Sequence, residues 1–351
     1  MLVLLKNVRR SLSVVMTFLF IGAATSSHAE TTTTSWDDTS TQAALERSAP
    51  LSPPLHTLLV AYDGSPVIEH VFTGPGLDQP VNIKSLSKTV LSALVGIAIE
   101  RGVFKGVDQP IVSLLGAKVP THADPQIRQI TVGHLLSMQA GLERTSGPYY
   151  GRWVASKNWV SYALARPFVA EPGGQMLYST GNSHLLSAAL TRASGQSTLA
   201  LARSWLGDPL NISIPPWTRD PQGIYFGGNE MALSPRALLA FGELYRTQGV
   251  VNGKRILPES WIDASWTPHT YSHFAHASYG YGWFMTNMKG HRVYYGWGYG
   301  GQMLYVIPEL ALTVVMTSDP TPPSAGHAYL DQLDEMVETL LIPAAEQAQQ
   351  Q

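Results

Sequence analysis

Between residues 89 and 99 the chain carries no charge, and apolar side chains fall on every face of a helical wheel. A helix that is apolar all round is buried, and this run is too short for a bilayer span, which takes ~20 residues. Helix-compatible residues begin at Leu86 and Gly102 is a natural stop. Upstream, 56–62 and 67–72 flank Asp63-Gly64-Ser65-Pro66, the pattern of a β-hairpin. After Gly102 the texture changes to short helices and loops. Asp108-Gln109-Pro110 opens a helical turn, and 131–138 reads as an amphipathic helix capped by Thr131 and closed by Gly141. Segments 159–165 and 183–193 are also helical, and Pro172-Gly173-Gly174 makes a turn.

No strand of convincing length falls between about 102 and 225. Ser234-Pro235 then starts a helix running to about Gly249. Beyond Tyr279 the period turns to strands, at 281–286, 293–297, 302–307 and 311–318, followed by a closing helix over 328–341. The strands at the two ends of the chain must meet to bury their apolar faces. The expected class is α/β (α+β), an antiparallel β-sheet flanked by helices with an inserted mainly helical domain. The sheet-bearing domain is discontinuous, 55–102 plus 226–345, and the helical domain is 103–225. Residues 30–54, rich in Thr and Ser, read as a flexible lead, and 346–351 as a tail.

Composition narrows this. With 351 residues, 44% hydrophobic and 14% charged, the chain has a core of enzyme size in one or two domains. Lys6, Arg9 and Arg10 precede an apolar run over 14–24 and then Ser27-His28-Ala29, the pattern of a signal peptide (1–29) cleaved near Ala29. That implies a secreted or periplasmic protein touching membrane only through its signal; a retained anchor is the alternative. Losing those three cations leaves 20 basic against 25 acidic residues, a formal −5, which gives nucleic-acid binding no support. The absence of cysteine excludes disulfides, thiolate catalysis and cysteine-ligated metal.

The chemistry gathers at the polar end of the apolar helix. Ser85 and Lys88, three apart, share a face there. Desolvation lowers a lysine pKa and frees an amine as base, and a neighbouring serine hydroxyl then becomes a nucleophile. The bland alternative is a capping serine and a lysine snorkelling to solvent. Asn229, in Gly227-Gly228-Asn229-Glu230 before the Ser234 helix, is a candidate substrate contact or a plain turn residue. Tyr149, Tyr150 and Trp153 line the pocket or belong to the core of the helical part. His269, His273 and His276 sit in what reads as a loop without a carboxylate, so neither a metal nor any other cofactor is expected. Neither H-E-x-x-H nor G-x-S-x-G occurs.

Ser85-Leu86-Ser87-Lys88, Tyr178-Ser179-Thr180 and Gly296-Trp297-Gly298-Tyr299-Gly300-Gly301-Gln302 follow one another in chain order. With them the chain resembles the serine β-lactamase-like hydrolases over nearly its whole mature length. Within these it looks like the class C-related group of family VIII esterases, D-peptidases and 6-aminohexanoate-dimer hydrolases. The resemblance implies a β-lactamase/transpeptidase-like fold. It also implies Ser85 as nucleophile, with Lys88 and Tyr178 as proton-transfer groups, Tyr178 having its phenolate favoured by the lysine cation. The N–H groups of Ser85 and Tyr299 would form an oxyanion hole, and Thr180, Asn182, Trp297 and Gly298 would contact substrate. Two departures stand out. Thr180 occupies the place of an asparagine, with Asn182 two residues on, and Trp297 stands where relatives carry the cation that holds a β-lactam carboxylate. The implied activity is a secreted serine hydrolase cleaving a small-molecule or short-peptide ester or amide through an acyl-enzyme. A D,D-peptidase and a weak β-lactamase are alternatives within the class. A non-catalytic peptidoglycan- or peptide-binding protein on the same fold is the alternative outside it.

Overall fold

The structure, a computed structural model, describes residues 36–321 and 323–350. The signal segment expected over 1–29 lies outside the described residues. Strands are β1 (Leu55–Tyr62), β2 (Ser65–Val71), β3 (Val81–Asn82), β4 (Ala232–Leu233), β5 (Val250–Val251), β6 (Lys254–Arg255), β7 (Thr270–Ser272), β8 (Ala277–Tyr279), β9 (Phe284–Met288), β10 (His291–Gly298), β11 (Gln302–Ile307) and β12 (Leu312–Ser318). Eight of them form one antiparallel sheet in the order β2-β1-β12-β11-β10-β9-β8-β7. β1 pairs with β12, Leu59 opposite Val315, which joins the two ends of the chain. The expectation of an antiparallel sheet flanked by helices holds.

The central strands read as unbroken apolar runs because both faces of the sheet are covered. Leu59, Leu304, Val306 and Val315 enter one core, together with the buried helix α2 (Ser87–Glu100). Their neighbours Leu58, Val60, Tyr305, Val314 and Met316 point the other way, into a core shared with Ala44, Met336 and Leu341. The period of two survives as an alternation between two cores. On the first side α2 is buried from Ser87 to Ala98, and its hydroxyls are answered by backbone. Thr89 donates to the Gly282 carbonyl at 2.8 Å and Ser92 to that of Tyr281 at 2.6 Å.

Between α2 and β4 the chain forms α3 (Ile111–Leu115), α4 (Val132–Leu136), α5 (Tyr150–Val154), α6 (Trp159–Leu164), α7 (Thr180–Ser194), α8 (Thr198–Ala202) and α9 (Asp208–Leu210). Thr131 caps α4 through a reciprocal bond with His134, as its sequence predicts. α10 (Pro235–Arg246) starts after Ser234, whose hydroxyl accepts from the Ala237 N–H at 3.1 Å.

Three expectations need correction. The flexible lead contains a helix, α1 (Asp38–Ser48), capped by Asp37, because Ala44 and Ser48 find burial against the second core. The segment read as a loop also carries the short strands β7 and β8, although His269, His273 and His276 themselves lie outside both strands, as expected. After α11 (Glu259–Ser265), the closing helix α12 (His327–Met336) continues through a π-turn into α13 (Ile342–Gln349), so 346–349 are helical and no loose tail begins at 346.

Candidate active site

β3 pairs with β4 and delivers the chain into a 3₁₀ turn, Lys84–Leu86, from which α2 departs. The junction is tied from both sides. The Ile83 N–H donates to the Met231 carbonyl at 2.9 Å, and Ser87 Oγ donates to the Lys84 carbonyl while accepting from the Met231 N–H at 3.2 Å. Lys84 and Glu230 both hold left-handed backbone, φ +50° and +64°, a conformation that costs a side-chain-bearing residue energy unless its surroundings enforce it. Here the enforcing contacts are visible. Lys84 Nζ pairs with Glu230 Oε1 at 3.2 Å and Asn82 Nδ2 donates to Glu230 Oε2 at 2.7 Å. Asn82 Oδ1 accepts the Lys84 N–H at 2.9 Å.

Within this clamp Lys88 Nζ lies 2.9 Å from Ser85 Oγ, 2.6 Å from the Gly228 carbonyl and 3.4 Å from Thr180 Oγ1. Lys88 is buried, and loss of hydration lowers its pKa from 10.5 to about 7. Ser85 makes no capping bond, so the capping alternative does not describe it. Gly228 has to be glycine. A Cβ there would lie 2.8 Å from that of Ser183 and 3.3 Å from Lys88 Cε, and the carbonyl could not reach the amine.

Tyr178 stands one residue before Ser179, the N-cap of α7, with its ring 4.9 Å below Lys88 Nζ and in contact with Phe274, Tyr279 and Phe284. Burial pushes its phenol up to about 12, a rise that a hydrogen bond with Ser85 only moderates. The expected lysine-favoured phenolate is therefore corrected. Desolvation is the largest influence on the phenol and raises its pKa, and the group brought near neutrality is Lys88.

The remaining expected residues separate. Thr180, Tyr150, Asn229, Trp297 and Tyr299 line, with Ser85 and Tyr178, one cleft of 590 Å³. Asn182 does not; it is buried, with its amide against the Met138 sulfur, because α7 turns it away. Gly298 also stays off the cleft wall, and what it supplies is proximity. A Cβ on it would run into the Ile83 carbonyl, and one on Gly296 would lie 2.9 Å from Thr89 Oγ1. The end of β10 can thus press against the turn that carries Ser85. Asn229 Nδ2 donates to Tyr150 Oη at 2.8 Å, leaving Asn229 Oδ1 buried without a partner, and burial pushes Tyr150 up to about 12.

Sequence reasoning missed Lys84, Arg144, Ser146, Glu230 and Phe274, all on the cleft wall. Ser146 Oγ lies 2.9 Å from Thr180 Oγ1 and accepts the Thr180 N–H at 2.8 Å. Phe274 sits in the turn between β7 and β8, against Tyr178 and Trp297. Just before that hairpin His269 stacks on Tyr281 and its Nε2 lies 3.2 Å from the Ala264 carbonyl, and His273 packs edge-on against Tyr271. Among the described residues no group of three or more His, Asp or Glu side chains is arranged to hold a metal.

The sequence profile described as Beta-lactamase matches residues 56–336. An uncharacterized protein of Alkalihalophilus pseudofirmus is 21% identical over 285 residues, covering 75% of this chain and 81% of its own. Among solved structures, EstCE1, a hydrolase with promiscuous acyltransferase activity, superposes with a TM-score of 0.70 at 18% identity, covering 86% of this chain and 98% of that one. A D-stereospecific amidohydrolase from Streptomyces sp. gives 0.67 at 19% identity, with the same coverages. At such identities the structural likeness carries the fold alone.

Proposed function

The chain belongs to the beta-lactamase family of hydrolases, and within it we propose a serine hydrolase that cleaves an ester or amide through an acyl-enzyme on Ser85. The observation that carries this reading is the 2.9 Å contact between Ser85 Oγ and a buried amine whose pKa lies at about 7. With Lys88 neutral, the serine hydroxyl donates to it. Lys88 takes that proton as Oγ attacks the carbonyl carbon, and the N–H groups of Ser85 and Tyr299 stabilise the oxyanion. On collapse the carbonyl re-forms and the bond to the leaving group breaks. The proton then passes from Lys88, by way of the Tyr178 hydroxyl, to the departing oxygen or nitrogen. Water repeats the sequence on the acyl-enzyme, regenerating Ser85.

Tyr178 acts here as a phenol that relays a proton, consistent with its raised pKa. Thr180, Tyr150, Asn229 and Trp297 contact a small-molecule or short-peptide substrate. The unpartnered Asn229 Oδ1 supports contact with a substrate N–H. The names of the structural relatives, a hydrolase and an amidohydrolase, agree with ester or amide cleavage. The charge–apolar–small pattern of 1–29 supports export, as a secreted or periplasmic protein, and the acidic mature chain gives no support to a nucleic-acid partner. The missing cation at Trp297 makes β-lactams the poorer class.

The test is fluorophosphonate labelling of purified protein with peptide mapping, beside a panel of p-nitrophenyl esters, linear amides, D-Ala peptides and nitrocefin. Labelling at Ser85 with ester or amide turnover is expected. Binding of peptidoglycan peptides with neither labelling nor turnover would establish the non-catalytic alternative.

A further inference from the structure

Besides Lys88, the charged side chains that reach the cleft are Lys84, Arg144 and Glu230. Two of these cancel. Lys84 and Glu230 pair at 3.2 Å, and the second oxygen of Glu230 is taken by Asn82. Arg144 differs: it is exposed, and among the described residues it has neither an ion pair nor a hydrogen bond. Its neighbour Glu143 is committed to Arg166. Among the described residues the cleft lining therefore carries one uncompensated permanent cation, and Lys88 adds to it whenever protonated.

The backbone beneath Arg144 is firmly held. The Thr145 N–H donates to Ser179 Oγ at 3.0 Å, and Thr145 Oγ1 accepts the Gly181 N–H at 2.8 Å. Ser146 Oγ accepts the Thr180 N–H at 2.8 Å. These bonds tie the segment to the start of α7, beside Tyr178 and Lys88. A guanidinium offers a planar fork matched to a carboxylate, and its exposed, unpaired state leaves the fork open to one arriving with substrate. We propose that Arg144 is the carboxylate-recognising residue of this site, and that the substrates are esters or amides bearing a carboxylate a few bonds from the scissile carbonyl. The proposal rests on the serine-hydrolase reading above. The charge that Trp297 cannot supply from β10 comes from the segment after α4 instead, so the carboxylate recognised sits against a different element from the one that would hold that of a β-lactam.

The test uses full-length mature enzyme and two matched pairs of esters. Mono-p-nitrophenyl glutarate against p-nitrophenyl pentanoate places the carboxylate on the acyl side. The butanoate ester of 4-hydroxybenzoate against that of phenol places it on the leaving group. In the wild type, the KM of the anionic ester of one pair is expected to rise with salt while that of its neutral partner does not. Arg144→Gln is expected to lower the anionic-to-neutral ratio of kcat/KM for that pair by about tenfold or more, mostly through KM. Arg144→Lys should recover part of the loss, because the charge remains and the fork does not. Ratios that move by less than about twofold in both pairs, with the neutral esters still turned over, overturn the role of Arg144 alone. Failure of the wild type to turn over any of the four esters overturns the hydrolase reading on which it stands.

Discussion

Lys88 Nζ donates to the carbonyl of Gly228 at 2.6 Å, across 140 positions of sequence, while standing 2.9 Å from Ser85 Oγ. The amine is thereby aimed at the Ser85 hydroxyl before any substrate arrives. The same carbonyl, with the Ser85 and Thr180 hydroxyls, gives the ammonium form its polar partners at the buried end of the helix. Burial remains the larger influence, and the amine titrates near neutrality.

The pH dependence follows from this. Acylation, measured as kcat/KM on a neutral ester, should rise with pH through about 7 and then level off as Lys88 loses its proton. Stability carries the matching signature. The folded pKa of Lys88 lies below its unfolded value of 10.5, so between about 7 and 10.5 the unfolded chain binds the extra proton. The contribution of Lys88 to stability therefore increases with pH across that window, with a slope of at most about 1.4 kcal/mol per pH unit, and is most unfavourable below it. Urea titrations at several pH values on the wild type and on Lys88→Met isolate this slope; the variant should lack it.

Ser85→Ala should lower kcat by about 10⁴-fold or more, as loss of a nucleophile does. Because Ser85 caps no helix, its stability should change by no more than about 1 kcal/mol. Rates and thermal melts on the same preparation separate the two effects. Wild-type turnover by the variant would remove Ser85 from the mechanism.

Tyr178→Phe should cost about 10²- to 10³-fold in kcat by deleting the relay, while the acidic limb of the pH profile stays near 7, since that limb belongs to Lys88. A profile that loses its limb in this variant would transfer the base to the phenol.

Gly298→Ala puts a methyl group into the Ile83 carbonyl, beside the turn that carries Ser85. The expected result is about 1–3 kcal/mol of destabilisation together with loss of activity, as β10 is pushed away from Ser85. Calorimetry and ester assays should show both losses.

Much of this was legible in the sequence, for identifiable reasons. The β1–β2 hairpin and α2 announce themselves because turn residues and an uncharged apolar run are local signals. Ser85-x-x-Lys88 at the polar end of a buried helix already implies a lysine with a lowered pKa, because desolvation follows from the helix being apolar on every face. The glycines at 296 and 298 are legible as a place of close approach. By contrast, β7 and β8 are three residues each, too short for a period of two to declare itself. α1 is held by burial of Ala44 and Ser48 against the far end of the chain, a contact its own Thr- and Ser-rich composition does not reveal.

Sequence by itself determined the pairing of Ser85 with Lys88, the antiparallel sheet made by both ends of the chain, and the family, because each rests on residues near one another or on their order. Tertiary structure decided which way each candidate faces. Asn182 is two residues beyond Thr180, yet the turn of α7 sends it inward and Thr180 toward Lys88. The state of Tyr178 was decided in the same way, since a nearby cation and burial act on a phenol in opposite senses and only the packing fixes their balance. Arg144 gained its place from the two hydroxyls after it, bonded to the start of α7 across a separation no local pattern encodes. Electrostatics and steric approach fall off over a few ångströms, and those distances exist only once the chain has closed on itself.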